Sequence, residues 1–409
     1  MSNPNKYISE DLLIGDSFLP SQILLNGNGL ENINDEIFLD FIDVAAKIFI
    51  EDVRNKVNSK DEPRNINVIV PVTNIHTWSS QKVLLGKIGN FLSGDKWNID
   101  FVKCDSKLPK FYVKSFITSP EFDNVTLLSG GLDSFCGSFV NVENKLQSLY
   151  CGYKINKFET KGLNDIHSIL NQKYKGISKR FNTLNIKKEE HTQRTRSLLF
   201  FALACATASM YNVNEILLYE NGVLSLNPEL DSRKTTKTTH PKTLYLVNQL
   251  LSNLNLNMRI KHPFLFKTKG QIINGLSDQF KEDIKFTNTC GIARHNRKIK
   301  IKSGHCGFCI PCILRKISMA AYGNEKYDVQ YNAPYGTNLE NCDLSFKSEF
   351  KSSNEYFRVF NEKIKDGSIF NELDLRSKYY KEKNYLELTK KMLDIFSEEV
   401  DTFYSKYPL

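Results

Sequence analysis

Two groups of residues in this chain have the types and spacing to do chemistry. The first is Ser129-Gly130-Gly131-Leu132-Asp133-Ser134, set directly after the apolar run Val125-Thr126-Leu127-Leu128. A strand that ends in paired glycines and opens into a helix turns several backbone N–H groups toward one point, which makes a cradle for phosphate. Glycine lets the backbone approach a ligand closely, and the Ser129 and Ser134 hydroxyls add hydrogen-bonding capacity. The loop has no lysine, so it is not the pattern in which a lysine reaches the terminal phosphates. Its grip suits a pyrophosphate leaving group, hence cleavage between the α and β phosphates of ATP. Asp133 can orient Mg²⁺ on the pyrophosphate or cap the helix that starts there.

The second group is four of the nine cysteines: Cys290, then Cys306, Cys309 and Cys312 in the order C-x-x-C-x-x-C. Three thiolates within two tight turns suit tetrahedral Zn²⁺ better than disulfides, with Cys290 as the fourth ligand and His305 as its competitor. Four thiolates leave the ion no open position, so the expected role is structural; an iron–sulfur cluster is the alternative occupant. Cys104, Cys136, Cys151, Cys205 and Cys342 read as single thiols.

The S-G-G-x-D-S loop is the motif of the N-type ATP pyrophosphatases, and this chain resembles them there. With the downstream cysteine knuckle, residues 123–330 resemble the 7-cyano-7-deazaguanine synthase (QueC) family. Glu220-Asn221-Gly222, Leu226-Asn227-Pro228 and the stretch from Arg233 through Thr239 to His240-Pro241 are similar to the enlarged QueC-like proteins of bacterial anti-phage operons, the QatC family of the Qat system. The resemblance implies a doubly wound parallel sheet of the PP-loop type and a carbon–nitrogen ligase that forms AMP and pyrophosphate. Its implied substrate is the carboxylate of 7-carboxy-7-deazaguanine, joined to an amine that is ammonia or belongs to a protein or peptide. The implied cofactors are Mg²⁺ and Zn²⁺ with ATP as co-substrate, and other defence-operon proteins are implied partners. One departure is the fifteen residues between Cys290 and Cys306, a longer spacing than the synthase has. The extra segment, residues 294–302, alternates basic and apolar side chains as a protruding hairpin would.

These residues need elements to position them. Short apolar runs at 125–128, 149–153 and 215–219 alternate with helical stretches from 133 and over 195–211, the order of a parallel α/β sheet. Ligands of such sheets lie beyond the carboxyl ends of the strands, where Ser129–Ser134 and Glu220-Asn221-Gly222 both fall. Glu220 and Asn221 are therefore candidates to hold substrate or Mg²⁺, with a plain Asn-Gly turn as the structural alternative. Arg194 and Arg196 open a helix, a position unfavourable for cations unless an anion is near. Arg233, Lys234 and Lys237 precede Thr239 and His240 in a threonine-rich loop that reads as a clamp on ATP or substrate. The expected catalytic set is Asp133, Ser134, Arg196 and Glu220.

Residues 1–122 read as a separate small α/β domain, with a helix over 38–57, strands at 67–72 and 97–102, and a helix at 82–91 between them. Gly89, Gly94 and Lys96 imitate a phosphate loop, but Asp95 stands where lysine should follow glycine, so the segment is rejected as one. Residues 331–409 read as helical, with aromatic residues that suit a core better than a docking face. The chain has 409 residues, 55 basic against 46 acidic, and 41% hydrophobic content, enough for two or three packed units. No apolar run approaches the roughly 18 residues that would span a bilayer, so a cytoplasmic enzyme is expected. The net charge of +9 suits a nucleotide or an acidic partner. Nucleic acid is a weaker candidate partner, because no RNA-binding module is identifiable. Two rival functions remain: a tRNA-modifying enzyme with the same loop, and a non-catalytic nucleotide-binding subunit of a defence complex.

Overall fold

A computed structural model describes residues 19–24, 33, 35–57, 62–108, 121–153, 157–181, 194–228, 230, 237–292 and 304–409. Arg233 and Lys234 of the proposed clamp, and the basic segment 294–302, lie outside the described residues.

The first long helix among the described residues is α1 (Glu36–Arg54), and strand β1 (Asn65–Val72), helix α2 (Lys82–Ser93) and strand β2 (Lys96–Lys103) follow it. β1 and β2 pair in parallel, with Asn65 opposite Lys96 and Val72 opposite Lys103. α2 stops at Gly94, whose φ of 82° is the left-handed conformation that ends helices at low cost. Asp95 turns inward to Arg64, with Nη2 2.6 Å from Oδ2. The 89–96 segment is thus a helix end and a buried ion pair, in keeping with its rejection as a phosphate loop.

The central elements follow in the order β3 (Asn124–Leu127), α3 (Leu132–Glu143), β4 (Ser148–Tyr153), α4 (Lys157–Tyr174), β5 (Ile177–Phe181), α5 (Arg196–Met210), β6 (Glu215–Leu217), α6 (Gly222–Leu226), α7 (Pro241–Asn253), β7 (Arg259–Lys261) and α8 (Lys269–Asn274). The five strands form one sheet in the order β5-β4-β3-β6-β7, and every pairing is parallel. Alternate residues serve opposite faces. Val125, Leu149, Cys151 and Ile216 join α5 and α7 in one core, whereas Tyr150 and Leu217 join α3, α4 and α8 in another. The order of strands reverses direction between β3 and β6, and an open parallel sheet leaves a crevice at such a point.

Apolar residues of α1, β1 and β2 belong to the same core as α5 and α7. Three carboxylates of α1 are fully buried, Asp40, Asp43 and Asp52, and each has partners. Lys107 Nζ lies 2.6 Å from Asp40 Oδ1 and 2.8 Å from Asp43 Oδ2. Asp52 bonds Arg64 Nη2 at 2.6 Å and accepts from both the backbone N–H and the hydroxyl of Thr195 at 2.9 Å. The first region is thereby fastened to the residue that starts α5.

The last region holds α9 (Ile310–Ala320), α10 (Lys347–Lys365) and α11 (Tyr385–Lys406). Ile313, Leu314 and Ile317 of α9 pack with Phe357 and Phe360 of α10, Phe396 and Val400 of α11, and Val223 and Leu226 of α6. Among the described residues, no helix is long and apolar enough to cross a membrane.

Candidate functional site

β3 delivers its loop to the crevice between β3 and β6. Gly130 has φ of +81°, and a Cβ there would sit 2.8 Å from the backbone nitrogen of Leu163 in α4. Only glycine fits both restrictions. Gly131 is the N-cap of α3, with no side chain of its own to satisfy the helix start. Ser129 Oγ instead accepts from the Gly131 N–H at 3.2 Å and lies 3.1 Å from Ser134 Oγ, which donates to Gly131 carbonyl oxygen at 3.1 Å. The hydroxyls therefore hold the loop in shape around the start of a twelve-residue helix, where the positive end of the dipole favours an anion.

β6 delivers Glu220 and Asn221 beside this loop. Asn221 Nδ2 donates to Glu220 Oε1 at 2.9 Å and to Asp133 Oδ1 at 3.4 Å, while Asn221 Oδ1 accepts from the Leu224 N–H at 3.0 Å and caps α6. The Asn-Gly pair is thus a helix start rather than a plain turn, and Asn221 alone belongs to the cluster. Gly222, which starts α6, donates its N–H to Lys267 carbonyl oxygen at 2.9 Å and does not line the cavity.

A cation that the sequence reading passed over completes the cluster. Lys269, the first residue of α8, forms an ion pair with Asp133, and the two side chains are only 2% and 9% exposed. Burial alone would raise the Asp133 carboxyl, but the Lys269 charge and hydrogen bonds from Glu220 and Asn221 hold it below its usual range. Glu220 moves the other way. Burial first, then the neighbouring Asp133 charge, push it well above the usual carboxylate range. A proton shared by the pair therefore favours Glu220 over Asp133, as expected when two carboxylates share a buried site with one cation.

These groups open onto a cavity of about 800 Å³. Its walls include Ser129, Gly131, Asp133, Arg196, Thr239, Cys309 and Pro311. The cavity brings together nine of the residues expected from sequence: Ser129, Gly131, Leu132, Asp133, Ser134, Arg196, Glu220, Thr239 and Cys309. Thr239 is fixed by Ser225, whose Oγ donates to Thr239 Oγ1 at 3.1 Å and lies 2.8 Å from His262 Nε2. His240 stands apart. Its Nδ1 accepts from the Lys242 N–H at 3.1 Å and caps α7, its ring meets Phe91 edge-on, and burial lowers its pKa to about 4. Arg194 also points elsewhere, donating to Ser93 carbonyl oxygen at 2.8 Å.

Asn288 was another omission. It is 7% exposed, lines the cavity and donates its backbone N–H to Gly130 carbonyl oxygen at 2.9 Å, yet neither its Oδ1 nor its Nδ2 has a hydrogen-bond partner. A buried amide without partners is costly unless a ligand or water supplies them. Lys269 could have been found by the criterion applied to Arg196. Thr268 and Gln271 form a capping box at the start of α8, readable from T-x-x-Q, and a lysine at the first position of a helix calls for an anion.

The second chemical group is equally well assembled. The Sγ atoms of Cys290, Cys306, Cys309 and Cys312 all lie within 4.8 Å of one another, and all four residues are buried. Cys306 and Cys312 Sγ are 3.8 Å apart, the edge of a tetrahedron whose centre-to-sulfur distance is about 2.3 Å, as for Zn–S. Backbone N–H groups supply the second shell: Cys306 N donates to Cys290 Sγ at 3.4 Å, and Phe308 N and Cys309 N donate to Cys306 Sγ at 3.4 and 3.3 Å. The donor set fits a metal such as zinc. His305 is outside it, because its Nε2 faces the Thr289 N–H at 3.3 Å. Arg315 of α9 ties the knuckle to the site. Its guanidinium, fully buried, bonds Asp328 Oδ1 at 2.7 Å, Thr287 Oγ1 at 2.8 Å and Thr289 Oγ1 at 3.0 Å, on either side of Asn288.

No protein-family model matches this chain, and no curated protein is similar enough to it to match.

Proposed function

We propose that this protein is a QueC-like enzyme of the PP-loop type, which adenylates the carboxylate of a 7-deazaguanine and transfers the acyl group to an amine within an anti-phage defence system. The observation that carries the proposal is the convergence, at one cavity, of the Ser129–Ser134 loop, the Asp133–Glu220–Lys269 cluster and the cysteine knuckle.

In this reading the loop N–H groups and the Ser129 and Ser134 hydroxyls bind the β and γ phosphates. Asp133 and Glu220 would hold Mg²⁺, a hard cation that neutralises charge on the phosphate oxygens when bound. Lys269 then turns its charge from Asp133 toward the phosphates, and Arg196, which also lines the cavity, adds a second positive charge for the same anion. A substrate carboxylate oxygen attacks the α phosphorus and the bond to the pyrophosphate breaks. An amine nitrogen then attacks the acyl carbon, AMP leaves, and the amine gives up its proton. Positioning and charge stabilisation supply most of the acceleration, and no covalent protein nucleophile is needed. Zn²⁺ on Cys290, Cys306, Cys309 and Cys312 would fix Cys309 and Pro311 as cavity wall. A cytoplasmic location and an acceptor amine on a protein or peptide belong to the same proposal.

The test is incubation of the purified protein with α-labelled ATP, Mg²⁺ and 7-carboxy-7-deazaguanine, with and without ammonium, following AMP and the mass of the base. AMP that requires the base and disappears in Ser134→Ala supports the reading. ADP as the sole product, or AMP indifferent to the base, refutes it.

A further inference from the structure

The last helix of the C-terminal region meets the site through a buried acid. Glu399 of α11 is 3% exposed and accepts a hydrogen bond from Thr268 Oγ1. Thr268 is the N-cap of α8. Its Oγ1 accepts from the Gln271 N–H at 3.0 Å, and its own N–H donates to Gln271 Oε1 at 3.0 Å. The residue after this cap is Lys269. At Gly270 a Cβ would collide with the Glu399 carboxylate, so the acid lies directly against the first turn of α8. The same helix braces the other half of the cluster: a Cβ at Gly222, next to Asn221, would lie 2.8 Å from Met392 Sδ. Glu349, from the start of α10, lines the cavity itself.

We propose that Glu399 is a positioning residue that holds Lys269 against Asp133 through the cap of α8, so that the C-terminal helix is an integral part of the site. The choice of residue supports this. Burial raises the Glu399 carboxyl to about 8, despite the hydrogen bonds that favour its charge, and an apolar side chain would fill the same space without that penalty. What an apolar side chain lacks is the acceptor that fixes the Thr268 hydroxyl. The neutral amide of glutamine retains one.

The test compares Glu399→Ala, Glu399→Gln and Thr268→Val at a temperature where each is folded by circular dichroism. The kinetic arm rests on the adenylating function proposed above: Glu399→Ala and Thr268→Val lower kcat for AMP formation on the order of 10- to 100-fold with little change in KM for ATP, and Glu399→Gln restores it. In a Lys269→Ala background the Glu399→Ala loss disappears, because both substitutions act through one group. Losses that simply multiply overturn the proposal. The second arm needs no activity. Acetylation of the intact protein by acetic anhydride, read residue by residue by mass spectrometry, labels Lys269 faster in Glu399→Ala and Thr268→Val than in the unsubstituted protein, while exposed lysines are unchanged. Unchanged labelling of Lys269 overturns the proposal even if the protein forms no AMP, and absence of AMP with faster labelling refutes only the adenylating function.

Discussion

Replacing Lys269 with methionine isolates what the buried cluster costs and what it supports. Methionine keeps most of the volume and removes the charge, leaving Asp133 beside Glu220 with no cation. Breaking a buried pair by deleting one partner destabilises by roughly 3–5 kcal/mol, since an uncompensated charge stays behind. The loss must also depend on pH. In the native protein Lys269 holds Asp133 below its reference value of 3.8, so this pair's contribution is present at neutral pH and lost only as pH falls through the lowered value. In Lys269→Met the largest lowering influence is gone, and burial, opposed only by the Glu220 and Asn221 hydrogen bonds, raises the acid. The folded variant then binds a proton that the unfolded chain releases, and its stability falls as pH rises above about 4. The difference between the two proteins therefore grows from pH 5 to pH 8. Urea titrations followed by far-ultraviolet circular dichroism at both values measure it. A second variant, Lys269→Met with Asp133→Asn, removes both charges and recovers most of the loss at pH 8, as neutral replacements of buried pairs do. A loss below about 1 kcal/mol at pH 8, or one equal at both pH values, would refute the argument.

Two further tests address the other halves of the site. A metal on the four cysteines predicts about one zinc ion per chain by mass spectrometry of the metal, and Cys309→Ser lowers both that content and the melting temperature, because metal binding and folding are linked; an undiminished zinc content rules out the four-cysteine assignment. Gly130→Ala places a methyl against the Leu163 backbone at a φ of +81°, which costs roughly 1–3 kcal/mol in strain alone and displaces the loop. ATP binding by calorimetry is then lost even where the protein remains folded, and native affinity would show that the loop's conformation is not what binds phosphate.

Much of the frame was legible because it rests on local physics. The runs at 125–128 and 149–153 are buried at nearly every position and so are almost wholly apolar, with Thr126 hydrogen-bonded to Asn124 and Asn141, and β3 and β4 fall there. The helix expected at 38–57 is α1, Glu36–Arg54, and the one expected at 195–211 is α5, Arg196–Met210. β5 and β7 gave no comparable signal: β7 has three residues, Arg259–Lys261, two of them basic. Which elements cover α1 was not legible: it shares its core with α5 and α7. Periodicity marks which face of a helix is apolar and says nothing about which other face will cover it.

The site divides the same way. The sequence determined by itself the Ser129–Ser134 loop and the four cysteines, because each function needs residues a few positions apart and the chain's own covalent spacing supplies their geometry. The tertiary structure alone decided that Lys269 meets Asp133, that Asp52 meets Thr195 and that Glu399 meets Thr268. A lysine at a helix start calls for an anion without saying which, and single acids within amphipathic helices look like solvated surface in one dimension. They became buried partners only when the order of the sheet's strands brought β3, β6 and α8 to one crevice, and the packing of the flanking helices closed over them.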